Sequence, residues 1–121
     1  MKMLTIILTD GPYISENADI AYKIAKAALE KIKVNIFLYL DAVHIPKKGQ
    51  YPTQFPNIGQ LFQELAELGA DIRACPRCAA ARGYQSKDGV CEEYHPGIRI
   101  TSLYDLADML LKSDKVISLS R

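Results

Sequence analysis

Apolar residues fall along this chain in two rhythms, short runs and stripes at helical spacing, and the two alternate from end to end. Leu4 to Thr9 is an apolar run of the kind that marks a strand buried on both faces, and Asp10-Gly11-Pro12 ends it. Ala18, Ala21, Tyr22, Ala25, Ala28, Leu29 and Ile32 then follow at helical spacing. Ser15 or Asn17 is placed to cap that helix, because a side-chain oxygen there accepts an orphan backbone N–H. Val34 to Leu40 reads as a second buried strand. Residues 41–56 hold Pro46, Gly49, Pro52 and Pro56 and predict a long surface loop, a length that in compact domains accompanies function or mobility.

A second helix is predicted by Ile58, Leu61, Phe62, Leu65 and Leu68, with Gly69 as the residue just past its end. Ala70 to Ala74 reads as a short third strand, Pro76 to Arg82 as a short helix ended by Gly83, and residues 84–97 as a second irregular segment. Ser102, with Asp105 three residues on, begins a last helix striped by Leu103, Leu106, Ala107, Leu110 and Leu111. Lys115 to Leu119 is the final strand. Strand alternating with helix calls for an α/β domain with a mostly parallel central sheet and helices on both faces. Ligand sites in such sheets lie beyond the carboxyl ends of the strands, an edge that here carries Asp10 to Tyr13, Asp41 to His44, and Cys75.

Composition narrows the class. The 121 residues suit one domain, 1–121, and 49% hydrophobic content suffices for a core without disulfide staples. A net charge of +1 leaves no strong direct nucleic-acid signal, and Lys47–Lys48 reads as solvated surface. The longest apolar runs, such as Ile36 to Leu40, are strand-sized, so no membrane span is expected. The apolar start meets Asp10-Gly11-Pro12 too early for a signal peptide and lacks a small-residue cleavage site. The reading is therefore a cytoplasmic protein, where its three cysteines serve catalysis or metal binding in preference to structural disulfides.

The chemistry concentrates in Ala74-Cys75-Pro76-Arg77-Cys78-Ala79-Ala80-Ala81-Arg82-Gly83. Cys75 falls where a strand ends and a helix begins, and free N–H groups with partial positive charge there favour thiolate over thiol. Pro76 suits the first helical turn, where its missing N–H costs nothing, and Arg73, Arg77 and Arg82 add positive potential. Cys78 lies about one helical turn on, so the two sulfurs can face each other as nucleophile and resolving partner. A C-x-x-C does not by itself separate redox, sulfur-transfer and metal roles. Cys75-x2-Cys78-x12-Cys91-x3-His95 has the spacing of a Cys3His zinc site, although its first pair leads into an Ala-rich helix and not a Gly-containing knuckle. The bland readings are a small buried hydrophobe for Cys78, an exposed loop thiol for Cys91, and surface imidazoles for His95 and His44. For His44 the bland reading is preferred. No Ser-His-Asp order, phosphate loop or Rossmann glycine pattern is present.

Taken in order, Thr9-Asp10-Gly11-Pro12-Tyr13 after the first strand, Leu68-Gly69-Ala70-Asp71-Ile72, Cys75, Ala79-Ala80-Ala81-Arg82-Gly83, and Ser102-Leu103 with Leu106-Ala107 resemble the DsrE/DsrF and TusD-type sulfur-relay proteins over nearly the whole chain. The most telling element is a cysteine eight residues before the glycine of Arg82-Gly83, which puts Cys75 and not Cys78 on the family's sulfur-accepting position. The resemblance implies a Rossmann-like three-layer sandwich on a sheet of about five strands. It further implies assembly into a homo-oligomer (dimer, trimer or hexamer) and a thiol that carries sulfane sulfur as a persulfide. Sulfur-donor and sulfur-acceptor proteins are the implied partners, in tRNA thiolation or dissimilatory sulfur metabolism, and no cofactor is expected. Some members share a C-x-x-C, while the Cys91 and His95 pair is not a family feature. The expected function is a sulfur carrier or sulfurtransferase subunit in which Cys75 holds the sulfur, and Cys78 offers a second route by closing a disulfide. The alternatives are a zinc-binding Cys3His-stabilised module and a small oligomeric interaction domain with incidental cysteines.

Overall fold

A computed structural model describes residues 2–121. The strands are β1 (Met3–Leu8), β2 (Lys33–Leu38), β3 (Asp71–Ala74), β4 (Ile98–Ile100) and β5 (Lys115–Leu119). The helices are α1 (Asn17–Ala28), α2 (Ile58–Glu67), α3 (Pro76–Ala81) and α4 (Leu103–Lys112), with a 3-10 helix at Leu40–His44. All strand pairs are parallel, in the order β4-β3-β2-β1-β5. The chain steps outward from β1 to β4 and then crosses back to lay β5 beside β1. Right-handed crossovers therefore put α1, α2 and α3 on one face and α4 on the other.

The apolar runs become the centre of the sheet for the reason their pattern suggests. Leu4, Ile6 and Leu8 are buried on one face of β1 and Thr5 on the other, between half-buried Met3 and Ile7, and Val34, Ile36, Phe37 and Leu38 bury both faces of β2, so neither strand has a fully solvent-exposed face. Ala18, Ala21 and Ala25 let α1 lie close to the sheet, and Ile58, Phe62 and Leu65 of α2 fill the space beside it. Two polar residues buried in the sheet satisfy each other: Asn35 Nδ2 donates to Thr5 Oγ1 (3.2 Å), and Thr5 also meets the Ser113 hydroxyl. At α4 the Ser102 N–H donates to Asp105 Oδ2 (3.3 Å), the return half of the expected box. Among the described residues no helix is long and apolar enough to cross a membrane.

Several expectations need correction. The first helix stops at Ala28, short of Ile32, and neither Ser15 nor Asn17 is its N-cap; Glu16 is, without a side-chain bond. Ser15 still serves the helix start, its Oγ accepting from the Asn17 N–H (3.2 Å). Residues 41–56 are not simply a surface loop, because the 3-10 helix buries Ala42, Val43 and Ile45. Residues 84–97 are tied down as well: the strip near Lys47 pairs antiparallel with the strip near Tyr94, and Tyr84, Cys91 and Tyr94 are buried. His44 is not a plain surface imidazole; its Nδ1 lies 2.6 Å from the Tyr84 hydroxyl. Sequence patterning gave no separate sign of β4, since three residues are too few to show a period.

The start of α2 is capped from a distance. The N–H of Ile58 donates to Tyr13 Oη (3.1 Å), that of Gly59 to Gln50 Oε1 (3.2 Å), and that of Gln60 to Asn57 Oδ1 (3.1 Å). Gly59 has to lack a side chain, because a Cβ there would sit 2.9 Å from both Gln50 Nε2 and the His95 ring. Gln50 is held by bonds to Ile45 O, Lys47 O and Tyr13, so it cannot yield cheaply. We predict that Gly59→Ala destabilises the fold by about 1–3 kcal/mol through overpacking, read as a lowered midpoint in urea unfolding.

Candidate functional site

The parallel ladder between β2 and β3 runs one step past the strands and delivers Cys75. Its N–H donates to Leu38 O (3.0 Å), and the neighbouring Ala74 O accepts from Thr101 N–H (3.1 Å). Cys75 is the N-cap of α3 in extended conformation, and its carbonyl accepts from Ala79 N–H (3.0 Å). Pro76 occupies the first helical turn as expected. Cys75 is thus fixed by the sheet on one side and the helix on the other, at the carboxyl edge of the strands.

Cys78 is held by a different device. Leu40, two residues after β2, adopts φ +53°, a left-handed conformation that a leucine takes only at a cost of roughly 1–2 kcal/mol. That turn aims the Leu40 N–H at Cys78 Sγ, 3.2 Å away. Arg82 closes the arrangement: its Nη1 donates to Cys78 O (3.0 Å) and its Nε to Asp41 Oδ1 (2.8 Å). Gly11 of the β1–α1 loop packs on the same turn, where a Cβ would stand 3.1 Å from Asp41 O. Three strand ends therefore converge on the thiol pair.

Electrostatics around the pair differ from the sequence expectation. Burial pushes the Cys78 thiol above its ordinary range and the adjacent Cys75 thiol adds to the rise, while the Leu40 N–H and the Arg82 charge pull the other way. Of the three arginines expected to supply positive potential, only Arg82 does so. Arg73 is bound to Asp71 (2.9 Å) and Asp105 (3.2 Å), and Arg77 is exposed. The expectation of a reachable Cys75 also needs correction: Cys75 is 1% exposed and Cys78 9%. Both thiols are closed in as the fold stands. The donor that sequence reasoning missed, the Leu40 N–H, carries no side-chain signature at all.

Cys91 and His95 stand apart from this pair. Cys91 is buried beside Tyr84 and Tyr94, not an exposed loop thiol. His95 lies against Gly59, with its Nε2 buried and unpaired, and burial lowers its pKa with Lys48 adding to the effect. Among the described residues no group of three or more His, Cys, Asp or Glu side chains is placed to hold a metal ion. The Cys3His set of Cys75, Cys78, Cys91 and His95 is accordingly not assembled. Chain spacing says nothing about the distance between residues once the intervening segment folds back on residues 46–48.

Residues 2–119 match the sequence model described as the DsrE/DsrF-like family. The chain is similar to the uncharacterized protein MK0008 of Methanopyrus kandleri, at 35% identity covering 97% of this chain and 93% of that protein. It is similar to the protein named "Putative sulfurtransferase DsrE" of Allochromatium vinosum, at 32% identity covering 91% of this chain and 92% of the relative. The crystal structure of the YchN protein from Escherichia coli superposes with a TM-score of 0.88 at 28% identity, covering 98% of this chain and all of that one. These similarities bear out both the family resemblance and the all-parallel five-stranded fold.

The closure over the thiols is testable. An exposed ion pair of the Asp41–Arg82 kind contributes up to about 1 kcal/mol. We expect Asp41→Ala to raise the rate of native-state alkylation of the thiol pair by iodoacetamide, up to roughly fivefold. An unchanged rate would show that the barrier to access lies elsewhere.

Proposed function

The chain belongs to the DsrE/DsrF-like family, and from that premise we propose that it is a sulfur carrier or sulfurtransferase subunit with Cys75 as the sulfur-bearing thiol. The observation that carries the reading is the placement of two adjacent thiols, Cys75 and Cys78, at the carboxyl edge of an all-parallel sheet. All three cysteines are free, which suits the reducing cytoplasm in which we place the protein.

In the proposed reaction the Cys75 thiolate attacks the terminal sulfur of a donor persulfide, R–S–SH. The new bond joins Cys75 to that sulfur, the bond to R–S breaks, and R–S⁻ leaves with the electron pair. The product is Cys75–S–SH. An acceptor protein's thiolate then attacks the outer sulfur and returns Cys75 as the leaving thiolate. Both steps are thiol–disulfide-type exchanges and run on sulfur and protons alone. Local opening of α3 and the Leu40–Asp41 turn precedes each step, because neither thiol is exposed when the Arg82–Asp41 pair is closed.

Two sets of exposed apolar side chains support the protein partners in this reading. Tyr13, Ile14, Leu40, Tyr51 and Phe55 are exposed on the loops that follow β1 and β2, the same edge as the thiols. Leu103, Tyr104, Leu110, Leu111 and Val116 are exposed on α4 and β5. We assign the first set to sulfur donors and acceptors, and the second to assembly into a homo-oligomer.

The carrier reading is tested by intact-protein mass spectrometry after treatment with inorganic polysulfide. A chain with Cys78 and Cys91 replaced by serine gains sulfur, and adding Cys75→Ser abolishes the gain. Uptake that persists without Cys75 overturns the assignment. For the oligomer, light scattering should give a multiple of the chain mass, and Leu111→Asp should shift it to the monomer. Leu111 is 86% exposed, so the substitution spares the core of the single chain.

A further inference from the structure

We propose that the Leu40 N–H, aimed at Cys78 Sγ, stabilises the thiolate that forms there as Cys78 attacks a loaded Cys75, so that the protein discharges its own persulfide as hydrosulfide when no acceptor takes the sulfur. The inference rests on the reading of Cys75 as the sulfur-bearing thiol, and it concerns the fate of the sulfur afterwards.

Three features meet at Cys78 that have no use in a one-thiol carrier. First, a non-glycine residue is kept in a left-handed conformation although its side chain is 45% exposed, so apolar burial of that side chain does not explain the strain. The strained turn delivers a single N–H, 3.2 Å from Cys78 Sγ. Second, Arg82 places its charge beside the same residue and ties it to the same turn, through Cys78 O and Asp41 Oδ1. Third, Cys75 and Cys78 thiols are direct neighbours, on the first turn of one helix. A backbone N–H and a guanidinium both favour negative charge on sulfur, at a residue whose burial otherwise opposes it. Cys75, the thiol that bears the sulfur, makes no capping bond as the N-cap of α3, and its side-chain hydrogen-bond neighbour is the Cys78 thiol itself.

The step balances without a cofactor. The proton of Cys78 leaves to solvent, and the Cys78 thiolate attacks Cys75 Sγ, the inner sulfur of Cys75–S–SH. A Cys75–Cys78 disulfide forms, the bond from Cys75 Sγ to the outer sulfur breaks, and HS⁻ leaves with that electron pair. The two cysteines together lose two electrons, and the sulfane sulfur gains them. A dithiol reductant then restores both thiols by exchange.

The experiment tracks the loaded protein over time. Protein carrying Cys91→Ser is treated briefly with inorganic polysulfide and desalted, then monitored by intact mass and by trapping of released hydrosulfide with monobromobimane. The persulfide form should decay to a form two hydrogens lighter than the reduced chain, with matching release of hydrosulfide and a rate independent of protein concentration. With Cys78→Ser added, the extra sulfur should stay in place and no hydrosulfide appear. Replacing Leu40 by its α-hydroxy acid, which turns the donor amide into an ester, should slow the decay about tenfold or more. Equal decay with and without Cys78 would overturn the inference while leaving Cys75 as the carrier, and equal decay of ester and parent would overturn the role of Leu40. Failure of the Cys78→Ser protein to gain sulfur at all would instead strike at Cys75 itself.

Discussion

The turn after β2 is the constraint around which the site is organised. Parallel pairing with β3 continues to Leu38, whose carbonyl takes the Cys75 N–H, and two residues later the chain has reversed enough for the Leu40 N–H to reach Cys78 Sγ. One strand end therefore holds both cysteines, the first through the sheet ladder and the second through a strained turn. The strain is sustained by the residues next in the chain. Ala42 and Val43 of the 3-10 helix and Ile45 just after it are fully buried, and Asp41 is clamped by Arg82. If the turn relaxed, those buried contacts would be lost together with the bond to sulfur.

Burying a pair of thiols has an electrostatic consequence that the fold counters locally. Removing sulfur from water disfavours the thiolate, and a second thiolate alongside disfavours it further. The opposing influences at Cys78 are short-range and directional, one N–H and one guanidinium, and they do not come from general positive charge. Arg73 illustrates the difference. It is close in sequence to Cys75, yet its charge is satisfied by Asp71 and Asp105 on the far side of β3, where it secures the start of α4 to the sheet.

Much of this was legible in the residue pattern, and the illegible parts share a cause. Runs such as Leu4–Thr9 and Val34–Leu40 disclosed central strands because burial on both faces leaves a continuous apolar signature. Gly69 after α2 and Asp105 behind Ser102 disclosed helix ends because capping demands particular side chains. The placement of Cys75 at a strand-to-helix junction came from the same reasoning. The hidden features depend on backbone conformation or on distant partners: the left-handed Leu40, the Tyr13 and Gln50 cap of α2, and a β4 of three residues. Cys91 belongs here too. Its polar neighbours Glu92 and Glu93 suggest an exposed loop, but pairing of residues 93–95 with 46–48 turns the thiol inward against Tyr84 and Tyr94.

Closure and chemistry are then two sides of one design. The elements that cover the thiols, α3 and the 3-10 helix, are six and five residues long, too short to hold their shape without the contacts between them. Segments of this kind open at far lower free energy than the central strands, which are buried on both faces. On the proposed function, a sulfur bound to Cys75 is thereby shielded from stray thiols, and it is exposed when the Arg82–Asp41 clamp parts. Parting that clamp also withdraws Arg82 from Cys78, while it relieves the burial that pushes the Cys78 thiol up. On the proposed function, the one ion pair therefore governs both access to the thiols and the charge that stands beside Cys78.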